Sequence, residues 1–264
     1  MGFHWRRALA VFWKDSLDLR LNKGLLASML VMPAMLVLVP VGIIYAYARN
    51  PSDVSLRAMA LFYEPGLPYT ASAARFLIDK TLTDWFGMYL VMPVFVPILI
   101  SSQSVAGEKE RRTLEPLLAS PVTGAELLVG KSLAAVLPAV VICDLAYAGM
   151  CFGADVAAWP LVHGRLLPNA LWSVGVLCIA PLFAFFGNGV AVLVSARVAE
   201  ARLAQQLSAL VVLPLVGLVG AQLAGFLRAG LAYYAIQAAV VLVFDVLLVL
   251  VSVRFFDRER LVRG

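Results

Sequence analysis

Histidine, cysteine and charge are all scarce in this chain: two histidines, three cysteines and 14% Asp, Glu, Lys and Arg over 264 residues. His4 and His163 stand in no metal-ligand spacing such as H-E-x-x-H, and no G-x-S-x-G nucleophile elbow occurs. His163 reads as a loop residue. Cys143, Cys151 and Cys178 each fall within an apolar stretch, as small packing residues rather than a disulfide framework or metal site. A soluble domain has about a quarter of its residues charged. With 62% hydrophobic residues and a mean hydropathy of +0.91, this chain reads as an integral membrane protein. Internal repeats and low-complexity linkers are also lacking, so nothing marks a second globular domain.

What is there is a series of long apolar runs. Residues 25–48 form 24 positions without a formal charge, longer than the roughly 30 Å hydrocarbon core requires at about 1.5 Å per residue. Further runs at 85–106, 127–153, 170–194, 203–227 and 229–253 complete six predicted spans. The fold class is all-α, a polytopic membrane protein with both termini on one side. Of the 21 Lys and Arg, fifteen lie on that side, including Arg6, Arg7, Lys14, Lys109, Arg111, Arg112, Lys131 and Arg260. Six lie on the other: Arg49, Arg57, Arg75, Lys80, Arg165 and Arg228. The asymmetry predicts cytoplasmic termini in a cell membrane. It also accounts for the net charge of +5 through membrane lipid as partner, with no nucleic acid.

The N-terminus is too short in its apolar core, and too interrupted by Lys14 and Asp15, to be a cleavable signal. Trp5, Leu9, Phe12 and Trp13 share one helical face and Arg7, Lys14 and Asp18 the other, which predicts an amphipathic helix lying in the interface. The longest outer stretch is 49–84, whose second half, 71–82, reads as a short surface helix with Ala74, Leu77 and Ile78 on one face. Prolines inside the spans (Pro33, Pro40, Pro93, Pro97, Pro138, Pro181 and Pro214) imply kinked helices packed on one another. Gly217, Gly220 and Ala224 offer a small face for close helix contact.

Residues 125–132, ending Gly130-Lys131-Ser132, imitate a phosphate-binding loop, but Ala125 stands where the first glycine belongs and the segment opens a span. Thr123 with Glu126 fits a capping box there, and Lys131 is placed to snorkel. Asp144 in the third span and Asp245 in the sixth are carboxylates that lipid would penalise by at least about 2.5 kcal/mol at the bilayer centre. Each must face protein or a wet cavity. With Asn188 they are candidates for a transport pathway, or for hydrogen bonding between helices.

The densest charge lies between the second and third spans: Gly107-Glu108-Lys109-Glu110-Arg111-Arg112-Thr113-Leu114-Glu115-Pro116-Leu117-Leu118-Ala119-Ser120-Pro121. Leu114, Leu117 and Leu118 fall at i, i+3, i+4 on one helical face, with Glu108, Glu110, Arg111, Arg112, Thr113 and Glu115 around them. An apolar face with a charged rim suits docking of another protein. Continued through Glu126 to Gly130-Lys131, this stretch resembles the cytoplasmic segment of type-2 ATP-binding-cassette transporter permeases. Arg112 stands where many members have glycine.

The resemblance implies a permease subunit that is not itself an enzyme, and an exporter by family preference. Its partners would be separate ABC ATPase subunits and a second permease, identical or homologous. It binds no cofactor directly; ATP and Mg would enter through the ATPase, and the segment around Glu110 to Leu118 would be the coupling helix. On this reading residues 1–264 are one permease domain: interfacial helix 1–23, spans 1 and 2 in 24–106 with outer loop 49–84, coupling segment 107–125, and spans 3–6 with a basic tail in 126–264. Two other classes stay open at this point, an ion-coupled carrier using Asp144 and Asp245 and a nonenzymatic membrane scaffold.

Overall fold

The computed structural model describes residues 3–68, 72–110, 122–228 and 230–255, and among them every regular element is helical. The elements are α1 (Trp5–Leu21), α2 (Lys23–Arg49), α3 (Val54–Tyr63), α4 (Ala73–Tyr89), α5 (Val91–Glu110), α6 (Gly124–Ala158), α7 (Ala170–Val174), a π turn (Gly175–Ile179), α8 (Ala180–Arg197), α9 (Ala201–Ala209), α10 (Val212–Leu223) and α11 (Leu231–Phe255). Six helical runs are long and apolar enough to cross a membrane: Lys23–Arg49, Ala73–Glu108, Gly124–Ala158, Ala170–Arg197, Ala201–Leu223 and Leu231–Ser252. They are spans 1 to 6.

Local chemistry sets the boundaries. Asn22 accepts the Leu25 N–H at 3.1 Å to open span 1, and Asn169 accepts the Trp172 N–H at 3.0 Å to open span 4. Thr123 and Glu126 form the capping box that the sequence predicts, with Thr123 N–H on Glu126 at 2.8 Å and Glu126 N–H on Thr123 at 3.3 Å. Asp155 turns the connector after span 3 by accepting the N–H groups of Leu166 and Leu167 at 2.8 and 3.3 Å. In span 4 Pro181 has no N–H to give the preceding turn, and the helix widens to a π turn just before it. The turn after span 5 carries Gly225, whose φ of +80° is open to glycine at little cost.

Span 2 is the axis, with 78% of its apolar window buried, against 11% for span 6. At one end an aromatic knot joins the spans. Phe86 and Tyr89 of span 2 meet Trp172 of span 4 edge-on, at ring distances of 5.2 and 5.1 Å, and Phe86 meets Tyr234 of span 6 at 4.7 Å. Trp172 donates to the Leu82 carbonyl at 3.1 Å, and Tyr234 donates to Gln222 of span 5 at 3.0 Å. Gly175 leaves the space that Phe86 fills. The polar tips are all satisfied inside the protein, so the rings bury without stranding a donor.

Two sequence expectations change. Residues 73–82 do not form a separate surface helix, because α4 runs into span 2 with Ala74 and Leu77 buried against Leu56 and Ala60 of α3 and Ile78 buried in the main core. The charges that made this stretch look extramembrane are partly paired within it, Lys80 to Asp84 at 2.7 Å. The small face at Gly217 and Gly220 has nothing within 4 Å of either glycine's missing side chain among the described residues. The tight contacts occur elsewhere, at Gly130, Gly175 and Gly187.

Candidate functional site

The end of the bundle opposite the aromatic knot is polar. There α1, the starts of spans 1, 3 and 5, and the end of span 2 surround a cavity of about 950 Å³. Of the charged stretch between spans 2 and 3, Glu108 and Glu110 are among the described residues; Arg111, Arg112, Thr113, Leu114, Glu115, Leu117 and Leu118 lie outside them.

Helix α1 packs on span 3 through Ala8 and Val11, both buried. Gly130 makes this possible, since a Cβ there would stand 2.5 Å from the Ala8 carbonyl oxygen and 2.7 Å from the Val11 Cβ. The opposite face, with Trp5, Trp13, Leu17 and Leu21, is exposed. The first turn of α1 is fastened to the capping box of span 3, where His4 N–H donates to Glu126 at 2.6 Å. Arg7 stands 4.0 Å from the same carboxylate.

Two turns into span 3, Lys131 is only 4% exposed. Its ammonium lies 3.0 Å from Glu108 and 3.3 Å from Asp15. Lys14 reaches the same Glu108 oxygen at 2.6 Å and also lies near Asp15 and Asp18, at 3.2 and 3.7 Å. Glu108 is 7% exposed. Burial works to lower the Lys14 pKa, but hydrogen bonding to Glu108 and the charge of Asp15 win, and it stands above its ordinary value. Its ionic contribution is therefore fully present below the usual ammonium range and is lost only at still higher pH. Lys131 and Glu108 form the buried pair of the cluster, and removing one partner from such a pair costs about 3–5 kcal/mol, because the other charge is left in a poor solvent.

Glu110 takes a different partner. It accepts the N–H of Ala201, the first residue of α9, at 2.7 Å, supplying one of the acceptors that a helix start lacks. Within two residues the end of span 2 is thus tied to α1 and span 3 through Glu108 and to span 5 through Glu110. Sequence reasoning places both carboxylates on a docking rim; Glu108 instead points into the chain. Lys14, Asp15 and Lys131 belong to this cluster without having been singled out as a site. Their partners lie far off in sequence, so no local spacing marks them as a site.

The intramembrane candidates are not brought together. Asn188 accepts from Ser101 at 2.7 Å and donates to Ser132 at 3.0 Å, linking spans 2, 3 and 4 inside the protein. Asp144 lies on span 3 about 18 Å along the helix from Ser132, half-buried beside Cys143, whose carbonyl accepts the Tyr89 hydroxyl. Asp245 is buried on the stripe of span 6 that includes Tyr234, Val241 and Ser252, and neither carboxyl oxygen has a hydrogen-bond partner among the described residues. No group of three or more His, Cys, Asp or Glu suited to hold a metal occurs among the described residues.

No curated protein matches the chain in a sequence search. A family model described as ABC-2 family transporter protein matches residues 9–255, nearly the whole length and all six spans. The chain belongs to the ABC-2 transporter family and is a multi-pass permease subunit of an ATP-binding-cassette transporter.

Proposed function

We propose that this permease domain, residues 1–264, works as an exporter subunit in the cell membrane, paired with a second permease copy or homologue and driven by separate ATPase subunits. ATP and Mg would be bound and consumed in those subunits. The ATPase docks on the segment around Glu110 to Leu118, with Leu114, Leu117 and Leu118 entering a groove and Arg111, Arg112, Thr113 and Glu115 setting register. The anchoring of both flanks carries this reading. Glu110 is held on Ala201 on one side, and the Thr123–Glu126 capping box, held in turn by His4, stands on the other. A segment with fixed ends can transmit a push, whereas a loose connector would absorb it.

The termini and this segment lie on the cytoplasmic side, as the basic asymmetry favours, and α1 rests in the interface with Trp5 and Trp13 toward lipid. Asp245 is the stronger pathway candidate, since a buried carboxyl without a partner is costly unless water, substrate or a second chain reaches it. Asp144 is the second. Asn188, fully engaged between three spans, holds helices together.

The test is copurification of the tagged chain with an ATPase encoded beside it, followed by ATPase assay in lipid. A stoichiometric complex whose turnover depends on the permease supports the proposal. Transport by the chain alone, driven by an ion gradient and dependent on Asp144 or Asp245, would replace it with an ion-coupled carrier, and a chain that moves nothing would be a scaffold.

A further inference from the structure

The two ends of the bundle differ in build. The aromatic knot is tightly packed, with Phe86, Tyr89, Trp172 and Tyr234 essentially inaccessible. The opposite end holds the half-open cavity of about 950 Å³, with Lys14, Asp15, Lys23, Ser101, Lys131 and Arg202 in its wall. Helices joined at a packed end and separated by a cavity at the other are free to move chiefly at the cavity end. What moves together there depends on which contacts resist separation. The pairs of Lys131 with Glu108 and Asp15 resist most, because Lys131 is buried and parting them strands its charge.

We infer that Glu108 and Glu110 are positioning residues that divide the displacement of the coupling segment among three elements. Glu108 draws α1 and span 3 together, through Lys14 at 2.6 Å and Lys131 at 3.0 Å. Glu110 draws the start of span 5, through the Ala201 N–H at 2.7 Å. Asp15 completes the first branch by joining Lys131 back to α1 at 3.3 Å. Helix α1 is then a moving part of the transporter rather than a passive anchor. Its exposed face of Trp13, Leu17 and Leu21 shifts against lipid with each cycle. The inference rests on the docking reading above.

The experiment uses the chain with its ATPase subunits in lipid nanodiscs and electron-spin distance measurements. One label pair joins Leu17 on α1 to Phe62 on α3; another joins Leu203 on α9 to Phe62. All three positions are exposed. On trapping with ATP and vanadate, both distances should shift in the otherwise unaltered complex. Glu108→Gln should abolish the Leu17 shift and keep that of Leu203, while Glu110→Ala, which removes the acceptor for the Ala201 N–H, should do the reverse. Glu108→Asp, which keeps the charge on a shorter arm, should restore part of the Leu17 shift and serves as the second variant if Glu108→Gln does not assemble. Loss of both shifts together, or retention of both, in a single variant that still copurifies with the ATPase overturns the inference and leaves the docking reading standing. Failure of the unaltered chain to hold an ATPase overturns the docking reading and this inference with it.

Discussion

Adding a single methyl group at Gly130 tests whether α1 is packed on span 3 as described. In Gly130→Ala the new Cβ would lie 2.5 Å from the Ala8 carbonyl oxygen and 2.7 Å from the Val11 Cβ, well inside van der Waals contact. Backbone cannot rotate away as a side chain can, so α1 must shift as a body. Such overpacking costs about 1–3 kcal/mol. The replacement also gains helix propensity of up to about 1 kcal/mol, which would obscure a simple comparison with the unaltered chain. Gly217→Ala supplies the control, because that glycine also lies within a helix and has nothing within 4 Å. The propensity gain enters both variants and cancels, so the gap between them reports the contact. At about 2–4 °C per kcal/mol for a chain of this size, Gly130→Ala should melt roughly 2–12 °C below Gly217→Ala when unfolding is followed in detergent. Val at position 130 should widen the gap. Equal melting of the two alanine variants would refute the packing of α1 on span 3.

Four further outcomes can be measured. Glu126→Ala removes the acceptor for His4 and Thr123, so trypsin should cut after Arg6 and Arg7 faster than in the unaltered protein; unchanged cleavage would contradict the fastening of α1. Trp172→Ala should destabilise by about 3–5 kcal/mol, since it empties the centre of the aromatic knot; a variant melting with the unaltered protein would refute that role. Single cysteines near Arg6 and Arg260 should be shielded from an impermeant thiol reagent in intact cells while one at Ser72 labels, and the opposite pattern would invert the orientation. Asp245→Asn should reduce transport while assembly persists if the carboxyl lines a pathway; lost assembly with unchanged activity per complex would make it a packing residue.

Much of this arrangement is readable from sequence, for identifiable reasons. The six spans follow from apolar length alone, and the Thr123–Glu126 capping box from a four-residue spacing, because both signals are local. Helix α1 is legible as amphipathic, but its partners are not. Arg7 and Lys14 look like a solvated face and Lys131 like a snorkelling residue, because Glu126 and Glu108 come from other helices. Glu108 reads as a docking residue from its neighbours in the charged stretch, and only three-dimensional packing turns it inward. At residues 73–82 the charges mislead: Asp79, Lys80 and Asp84 suggest an outer loop, whereas α3 covers the apolar side and lets span 2 begin early. Glycine spacing is similarly ambiguous. The paired Gly217 and Gly220 face away from the chain, while the isolated Gly130 and Gly187 lie against neighbouring backbone.

The most direct test of the central claim is the effect of replacing Leu114, Leu117 and Leu118 together with alanine on ATPase association. Apolar burial is worth about 25 cal/mol per Å² before the costs of association, so truncating three leucines at one groove should leave the ATPase weakly held or absent on copurification. On this assignment the three leucines face the ATPase groove, so membrane abundance and melting of the permease should be unchanged. A triple variant that keeps full ATPase association and permease-dependent turnover would contradict the assignment of this segment as the coupling element.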